Sequence, residues 1–283
     1  EQHLSSHKYD VIFVRLGYRI TAEIIECQPE LSVLVSPTTG LNHIDIHSVK
    51  SHNIQVVSLQ NEYEFLSKIQ STSEHVWMLL LAVAKKLPQR VKDVLDGNWI
   101  RDDMSAELNG RVIGIIGYGR LGKIINRYAH AFGMKVLVND VCDIDVPNTD
   151  TETLVASSDI IVLLANYQVD NEMMIDRSVF NRMKDGVIFV NCARGELVNE
   201  SDLLEALESG KIGACGLDVL RGDSSWNTIS SSHPLLKYSQ RKTNLIITPH
   251  VGGFSDYSIY KTREFVTNKC LKLIAKNESY TNY

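Results

Sequence analysis

The chain has 283 residues, a length that suggests about two domains and can bury a sizeable core. Its 44% hydrophobic and 22% charged residues exclude a disordered, collagen-like or low-complexity chain. The net charge of −5 argues against a dedicated nucleic-acid binder. The longest apolar run, residues 76–84, is shorter than the roughly 20 residues that span a bilayer, so we expect neither nucleic acid nor a membrane as a partner.

The five cysteines are scattered, odd in number and form no C-x-x-C pair. Neither a disulfide framework nor a zinc site is therefore expected, and we predict no metal site. The polar start Glu1-Gln2-His3 lacks the apolar segment of a signal peptide. These features favour a reducing, cytoplasmic location.

Two α/β patterns follow one another along the chain, and each has apolar strand-like runs separated by helical stretches. Such alternation predicts parallel sheets with crossover helices. In the first pattern the predicted strands are 11–14, 31–35 and 54–57, with helices at 21–27 and 42–51. In the second the predicted strands are 112–116, 135–139, 160–165, 187–191, 214–219 and 245–248, with helices at 120–132, 151–157, 176–183 and 199–208.

Three further segments complete the prediction. Residues 73–94 are predicted to form one helix, apolar nearly all round and therefore buried on more than one side. Residues 223–244 are serine-rich and polar, which favours a flexible surface loop, and residues 255–275 have helical periodicity. The six strands of the second pattern predict an α/β fold with a doubly wound, Rossmann-type parallel sheet.

A glycine-rich turn with the sequence GYGRLG lies between strand 112–116 and the helix that follows. In this context Gly117 permits the tight turn, Gly119 lets the backbone approach a pyrophosphate, and Gly122 allows close helix–strand packing. Arg120 and Leu121 open the helix, whose N-terminal N–H groups favour phosphate. The sequence therefore predicts a dinucleotide-binding turn at these residues.

Asp140 ends the next strand, where the dinucleotide fingerprint carries an acidic residue. A carboxylate there accepts hydrogen bonds from a ribose 2′-hydroxyl and repels a 2′-phosphate. No arginine or lysine follows within the next few residues, so NAD is predicted in preference to NADP. The alternative is a glycine-rich turn followed by an unrelated surface aspartate.

Three more motifs lie at the ends of predicted strands, on the edge where such sheets bind ligands. They are the segments NCARG at 191–195, LDV at 217–219 and TPHVGG at 248–253. Their order and spacing after the glycine turn resemble the D-isomer-specific 2-hydroxyacid dehydrogenases, a family with phosphoglycerate, lactate and glycerate/hydroxypyruvate enzymes. The resemblance covers nearly the whole chain.

The resemblance implies a role for two side chains in catalysis. Arg194 would bind the substrate carboxylate and keto oxygen, for which a planar guanidinium is well suited. His250 would be the general acid/base, because an imidazole with a pKa of about 6.5 can give and take a proton near neutrality. Taken alone, Arg194 would equally fit a surface salt bridge and His250 a turn residue.

The third catalytic residue departs from the family. Five positions after Asp218 the family has a glutamate, whereas this chain has Asp223. An aspartate can hold the imidazole and favour its protonated form, although its side chain is one methylene shorter. We expect Asp223 to pair with His250, directly or through water. The alternative is a solvent-exposed loop aspartate.

The resemblance also assigns ligand contacts to residues outside the catalytic set. The further residues expected to contact the cofactor are Cys192, Ala193, Asp218 and Gly253. Backbone N–H groups of a substrate loop are expected to bind the substrate carboxylate, at Thr38, Thr39 and Gly40. Arg15 could meet a second negative group of the substrate or form a plain salt bridge.

The resemblance gives the domain organisation as well. We predict a smaller, flavodoxin-like α/β substrate domain at 1–75, an NAD-binding domain at 76–253, and a C-terminal helix at 254–283 that returns to the substrate domain. The first pattern has fewer strands than the family's substrate domain, so some N-terminal sequence is expected to be missing, which would expose a sheet edge or leave it to a partner. The family and the apolar helix around Trp77 favour a homodimer.

The predicted function is that of an NAD-dependent oxidoreductase that interconverts a D-2-hydroxy acid and its 2-oxo acid. A formate- or phosphite-type dehydrogenase is disfavoured because no dedicated signature is present. Two alternatives remain open. One is an NAD-sensing, corepressor-like protein, and the other is an inactive relative, which Asp223 and the short N-terminal segment make conceivable.

Overall fold

The structure is a computed structural model that describes residues 7–15, 17–223 and 229–280. The chain divides into two compact units. The first contains the described residues up to Ile69, Asp223, and the residues from Phe254 onward, and the second contains residues 70–222 and 229–253. Within the described residues, no helix is both long enough and apolar enough to cross a bilayer.

Strands and helices alternate along both units. The strands are β1 Val11–Phe13, β2 Val33–Val35, β3 Gln55–Val57, β4 Val112–Ile116, β5 Lys135–Asn139, β6 Ile160–Leu163, β7 Val187–Asn191, β8 Ile212–Leu217 and β9 Leu245–Ile247. The α-helices are α1 Ala22–Glu26, α2 Ile46–Ser51, α3 Tyr63–Leu66, α4 Ser71–Ala84, α5 Leu87–Leu95, α6 Arg120–Ala131, α7 Thr151–Ser157, α8 Arg177–Arg182, α9 Glu200–Glu208, α10 Pro234–Arg241 and α11 Asp256–Tyr280.

The first unit contains a parallel sheet in the order β1-β2-β3. All three residues of the central strand β2 are buried, because successive side chains of a strand point to opposite faces and both faces are covered. Leu34 packs into the cluster that includes Ile25 and Val49. Val33 and Val35 pack on the other face, against Val266 and Cys270 of α11.

The second unit is built on a six-stranded parallel sheet in the order β5-β4-β6-β7-β8-β9. Helices cover both faces, as the doubly wound prediction requires: α4 and α6 on one face, and α7 to α10 on the other. The strand order reverses between β4 and β6, since β4 pairs with β5 on one side and β6 on the other. In such sheets ligands bind outside the carboxyl ends of the strands at this reversal.

The predicted helix at 73–94 is wrong as a single element, because the structure contains two helices, α4 and α5. Lys86 separates them with a φ of 54°, in the left-handed region that ends a helix. Pro88 then lies in the first turn of α5, where its missing N–H costs nothing. The burial prediction holds for α4, which buries residues such as Val76 and Leu80, but α5 buries none of its side chains, all of which are described.

The predicted loop at 223–244 is also wrong in part. Residues 224–228 lie outside the described residues, but α10 occupies the later part of the stretch. Pro234 begins this helix, and Leu235 and Tyr238 enter the core with 0% and 4% of their surface exposed. The hydroxyl of Tyr238 donates to the carbonyl of Leu207 at 3.2 Å. The polar, serine-rich composition therefore did not indicate the short amphipathic helix at Pro234–Arg241.

The burial of α10 predicts the effect of a single truncation. Leu235→Ala should lower the free energy of unfolding by about 2–5 kcal/mol, because it leaves a cavity in the core. Lys237→Ala, on the exposed face of the same helix, should change it by no more than about 0.5 kcal/mol. Urea denaturation measures both. Equal stabilities for the two variants would show that α10 is not docked.

Candidate active site

The glycine turn after β4 has the geometry that a dinucleotide needs. Gly117 has a φ of 97°, and a Cβ at this position would lie 2.5 Å from the backbone nitrogen of Ala165. A Cβ on Gly122 would lie 2.3 Å from the carbonyl oxygen of Gly117, so helix and turn pack in contact. At Gly119, by contrast, a Cβ would meet nothing within 4 Å, so this stretch of backbone lies open to a ligand.

Asp140 is held beside this turn by two backbone groups. Its Oδ2 accepts the N–H of Tyr118 at 2.6 Å, and its Oδ1 accepts the N–H of Cys142 at 2.9 Å. Gly119 is the N-cap of α6 and makes no side-chain capping bond, so it does not itself cover the first N–H groups of the helix. An anion-binding helix end and a fixed carboxylate on the next strand fit the pyrophosphate and ribose of a dinucleotide.

Asn191 shapes the turn that carries Arg194 at the end of β7. Its side chain is buried, with Oδ1 accepting the N–H of Ala193 at 2.9 Å and Nδ2 donating to the carbonyl of Arg194 at 3.0 Å. Arg194 then adopts an extended backbone before the 3-10 helix Gly195–Leu197. Its Nη1 donates to the carbonyl of Ala193 at 2.7 Å. The asparagine therefore fixes the backbone from which the guanidinium projects.

Asp218, directly after β8, is the polar centre of the site. Only 2% of its surface is exposed, and its carboxylate accepts the hydroxyl of Thr248 at 2.6 Å. The N–H groups of Val251 and Gly252 donate to it at 3.0 and 2.8 Å. Nε2 of His75, on α4, lies 3.1 Å from Oδ1. The carboxylate thus ties residues 248–252 to β8 and α4.

The charge of Asp218 is stabilised in spite of its burial. Burial alone would raise the pKa of this carboxyl group, but hydrogen bonds from His75, Thr248 and Gly252 outweigh that effect and lower it. Asp218 is therefore ionised at neutral pH. Gly252 has no room for a side chain, since a Cβ would lie 2.8 Å from Oδ2 of Asp218.

His250 lies within the loop that Asp218 holds. Its φ is 54°, uncommon for a residue other than glycine, and its N–H donates to the carbonyls of Asp218 and Thr248 at 2.8 and 2.9 Å. The N–H of Asp218 donates in turn to the carbonyl of Asn191 at 3.0 Å. The ladder of the sheet thus continues past the strands and links the loops of Arg194, Asp218 and His250.

Arg194 and His250 follow two strands that have β8 between them, and they lie on the same edge of the sheet. Neighbouring strands are about 4.8 Å apart, so the two backbones are about 10 Å apart. Both side chains can reach across part of that distance. A small molecule placed over Asp218 could therefore meet a guanidinium from one side and an imidazole from the other.

Other residues predicted to contact the cofactor include two that precede Arg194 in its turn. Cys192 and Ala193 are both buried, and burial, together with the nearby charge of Asp218, raises the pKa of the Cys192 thiol well above its ordinary value. Burial also lowers the pKa of the Arg120 guanidinium. The cofactor contacts of these residues, and those of Leu121, Asp218 and Gly253, stay predictions.

The predicted substrate residues lie in the first unit. Thr38 stabilises its own loop, because its hydroxyl donates to the carbonyl of Gly40 at 2.8 Å and lies 2.8 Å from the hydroxyl of Ser36. Ser36 Oγ also lies 3.1 Å from Nε2 of His43, which is buried. Arg15 is exposed, with its guanidinium 5.2 Å from the ring centre of Tyr18. Binding of a substrate carboxylate by Thr38, Thr39 and Gly40 stays a prediction.

Asp223 is half-buried and follows Gly222, whose φ of 81° requires glycine. Its pairing with His250 stays a prediction. The structural roles of Asn191 and His75 were not predicted from the sequence. Asn191 could have been found from its place at the end of a strand and before a tight turn, but His75 contacts Asp218 from a distant helix, and no local pattern indicates this.

The NAD-binding domain model of the D-isomer specific 2-hydroxyacid dehydrogenases matches residues 77–252. The catalytic domain model of the same family matches residues 2–76. The structure is also similar to that of D-lactate dehydrogenase from Aquifex aeolicus complexed with NAD and lactic acid, with a TM-score of 0.85 and 29% identity. That similarity covers 99% of this chain and 86% of the other.

Among curated proteins, the chain is 35% identical to the D-3-phosphoglycerate dehydrogenase of Archaeoglobus fulgidus, covering 87% of this chain and 46% of that protein. It is 33% identical to the hydroxypyruvate reductase of Thermotoga maritima, covering 86% of this chain and 78% of that protein. The chain thus spans about half the length of the phosphoglycerate dehydrogenases that it matches. On these matches and on the geometry of its site, the chain belongs to the D-isomer specific 2-hydroxyacid dehydrogenase family.

Proposed function

We propose that the protein interconverts a D-2-hydroxy acid and its 2-oxo acid, with NAD⁺ as the oxidant in one direction and NADH as the reductant in the other. The observation that carries this proposal is the placement of Arg194 and His250 on one sheet edge, with the buried carboxylate of Asp218 between them. The glycine turn and Asp140 lie on the same edge of the same sheet, at the carboxyl ends of β4 and β5.

Each side chain has a defined task in this reaction. When bound, NAD supplies the hydride acceptor or donor for C2 of the substrate. Arg194 binds the substrate carboxylate through paired N–H groups and orients the carbonyl. In the reducing direction, protonated His250 gives its proton to the carbonyl oxygen, and in the oxidising direction neutral His250 takes the hydroxyl proton. Asp223 is proposed to favour the protonated imidazole through its opposite charge.

The substrate class follows from the same groups. A guanidinium and an imidazole suit a 2-oxo acid, whose carboxylate and carbonyl lie on adjacent carbons. Similar proteins are named for hydroxypyruvate, glycerate, 3-phosphoglycerate and lactate. We propose a substrate of this size, bound additionally by the backbone of Thr38, Thr39 and Gly40. A distal anionic group would be bound by the exposed Arg15.

We also propose a homodimer, formed through an apolar surface of the second unit. A groove of about 710 Å³ is lined largely by apolar side chains, among them Trp77, Met78 and Phe132. Residues 96–106, which follow α5, include two highly exposed apolar side chains, Trp99 (87% exposed) and Met104 (89% exposed). In the proposed two-fold dimer, this segment of each copy fills the groove of the other copy, so both apolar surfaces are removed from water.

A reducing environment is proposed for the protein as well. Cys27 and Cys142 are exposed free thiols, which persist where disulfides do not form. On the basis of these two exposed thiols, we propose a cytoplasmic location.

The dimer proposal predicts a mass of twice 31.8 kDa at micromolar concentration. Trp99→Ser should weaken the self-association by about tenfold or more, since burying such a side chain contributes about 1.5–3 kcal/mol. Val169→Ser, which removes an equally exposed apolar side chain elsewhere, should leave it unchanged. Sedimentation equilibrium measures all three. A monomeric chain would contradict the proposal.

The role of Asp140 predicts the cofactor preference. NADH should bind more tightly than NADPH, and Asp140→Asn should weaken NADH binding by about tenfold or more, because a charged hydrogen bond of roughly 1.5–3 kcal/mol is lost. Asp143→Asn, an exposed aspartate three residues further on, is the control and should bind NADH normally. Fluorescence titration measures these affinities. Equal NADH affinity for both variants would remove Asp140 from the site.

Turnover of a panel of 2-oxo acids with NADH tests the reaction itself. Loss of NADH absorbance is expected with at least one short 2-oxo acid. His250→Ala and Arg194→Ala should each lower kcat/KM by about 10²- to 10⁴-fold, since each removes a proton carrier or a paired charge at the reacting carbon.

Matched surface variants provide the control for this experiment. His130→Ala and Arg127→Ala remove the same residue types from exposed positions of α6 and should turn over normally. NADH binding without turnover of any acid would instead support the NAD-sensing alternative. Full activity of either His250→Ala or Arg194→Ala would refute the mechanism.

A further inference from the structure

Glu200, the first residue of α9, forms a hydrogen bond with each of its two carboxylate oxygens, one to Arg221 and one to His233. Oε1 accepts the backbone N–H of Arg221 at 2.8 Å, and Oε2 lies 3.1 Å from Nε2 of His233. These two contacts flank residues 222–232, the stretch that carries Asp223. The helix end that carries Glu200 is fixed, because the side chain of the N-cap residue Asn199 accepts the N–H groups of Ser201 and Asp202.

The turn that carries Arg194 packs directly on the residues before Asp223. A Cβ on Gly195 would lie 2.1 Å from the carbonyl carbon of Leu220 and 2.2 Å from the nitrogen of Arg221, so the two backbones are in contact. Oε1 of Glu196 accepts the N–H of Gly222 at 3.4 Å. The two amides that immediately precede Asp223 therefore both donate to carboxylates that follow Arg194.

Arg221 is also held by its side chain. Its guanidinium pairs with Glu172, which in turn accepts the hydroxyl of Tyr167 at 3.2 Å. Tyr167 and Glu172 follow β6, whereas Glu200 follows β7. Arg221 is thus attached through its side chain to the segment after β6 and through its backbone to the N-terminus of α9. The position of the residues that follow Arg221 therefore depends on both.

His233 orients Glu200 from the far end of the stretch. Its Nδ1 is buried and has no hydrogen-bond partner among the described residues. A proton on that nitrogen would be buried without an acceptor, so the neutral imidazole carries its proton on Nε2 and donates it to Glu200. Burial raises the pKa of Glu200, and the hydrogen bonds from Arg221 and His233 oppose this rise. The carboxylate therefore depends on these two donors.

We propose that Glu200 is a positioning residue, which holds the chain leading to Asp223 in a fixed place relative to Arg194. It touches neither substrate nor cofactor in this account and acts through Asp223. The inference rests on the proposed function, and it adds a residue that neither the motifs nor the reaction required.

Steady-state kinetics of two Glu200 variants test the proposal. Glu200→Ala should lower kcat by about 10- to 100-fold, because a misplaced Asp223 orients His250 poorly, while KM for NADH stays unchanged. Glu200→Gln should recover part of kcat, since its carbonyl can still accept the Arg221 N–H, whereas its NH2 group cannot accept from His233. Glu205→Gln makes the same charge change on the exposed side of α9 and should match the wild type.

Coupling to Asp223 separates positioning from a merely structural role. The pH dependence of kcat in Glu200→Ala should shift in the same direction as in Asp223→Asn. Adding Glu200→Ala to Asp223→Asn should cost no further activity, because the two act in series. An equal loss of kcat in both backgrounds would overturn the proposal, as would an unchanged pH profile in Glu200→Ala.

Hydrogen exchange gives a readout that does not need turnover. In Glu200→Ala the amides of Arg221 and Gly222 should exchange at least about tenfold faster than in the wild type, whereas those of α6 should not change. Unchanged exchange at Arg221 would overturn the proposal even in an active protein. If the wild type reduces no 2-oxo acid, the proposed function fails, and the exchange result still decides whether Glu200 holds this segment.

Discussion

A buried carboxylate needs donors on all sides, and in this protein that need shapes the site. An ionised aspartate with 2% of its surface exposed would be costly without partners. Asp218 obtains them from α4, through His75, and from residues 248–252, through a hydroxyl and two backbone N–H groups. The loop can supply these donors because the backbone of His250 adopts a left-handed conformation and Gly252 has no side chain that would clash with Asp218.

The consequence is that His250, the proposed general acid/base, is placed by a residue that is not its proposed partner Asp223. The backbone of His250 is fixed by the carbonyl of Asp218, and the backbone of Asp218 by the carbonyl of Asn191, which also shapes the turn of Arg194. The backbones of Arg194 and His250, separated by more than fifty residues of sequence, are therefore linked by one short chain of hydrogen bonds. Rigid placement of this kind favours a reaction that needs several groups at adjacent atoms.

Local patterns predicted the parallel strands and most of the helices, because apolar runs bounded by polar turns reflect burial directly. The glycine turn was predictable because part of its cause is local: Gly117 has a φ of 97°, and a Cβ on Gly122 would lie 2.3 Å from the carbonyl oxygen of Gly117. The break at Lys86 was missed: the lysine itself gives no signal, but Pro88, which favours the first turn of a new helix, could have indicated it. The contact of His75 with Asp218 was not predictable, because it is made across the fold by residues in unrelated motifs.

A crystal structure of the protein with NAD and a short 2-oxo acid, or an unreactive analogue of it, would show directly how Arg194 and His250 meet the substrate. We expect the Arg194 guanidinium to lie within hydrogen-bonding distance of the carboxylate of the acid. We also expect an imidazole nitrogen of His250 to lie within about 3.2 Å of the carbonyl oxygen. An acid bound elsewhere, or a His250 side chain directed away from it while Asp218 keeps its donors, would refute the proposed roles of Arg194 and His250.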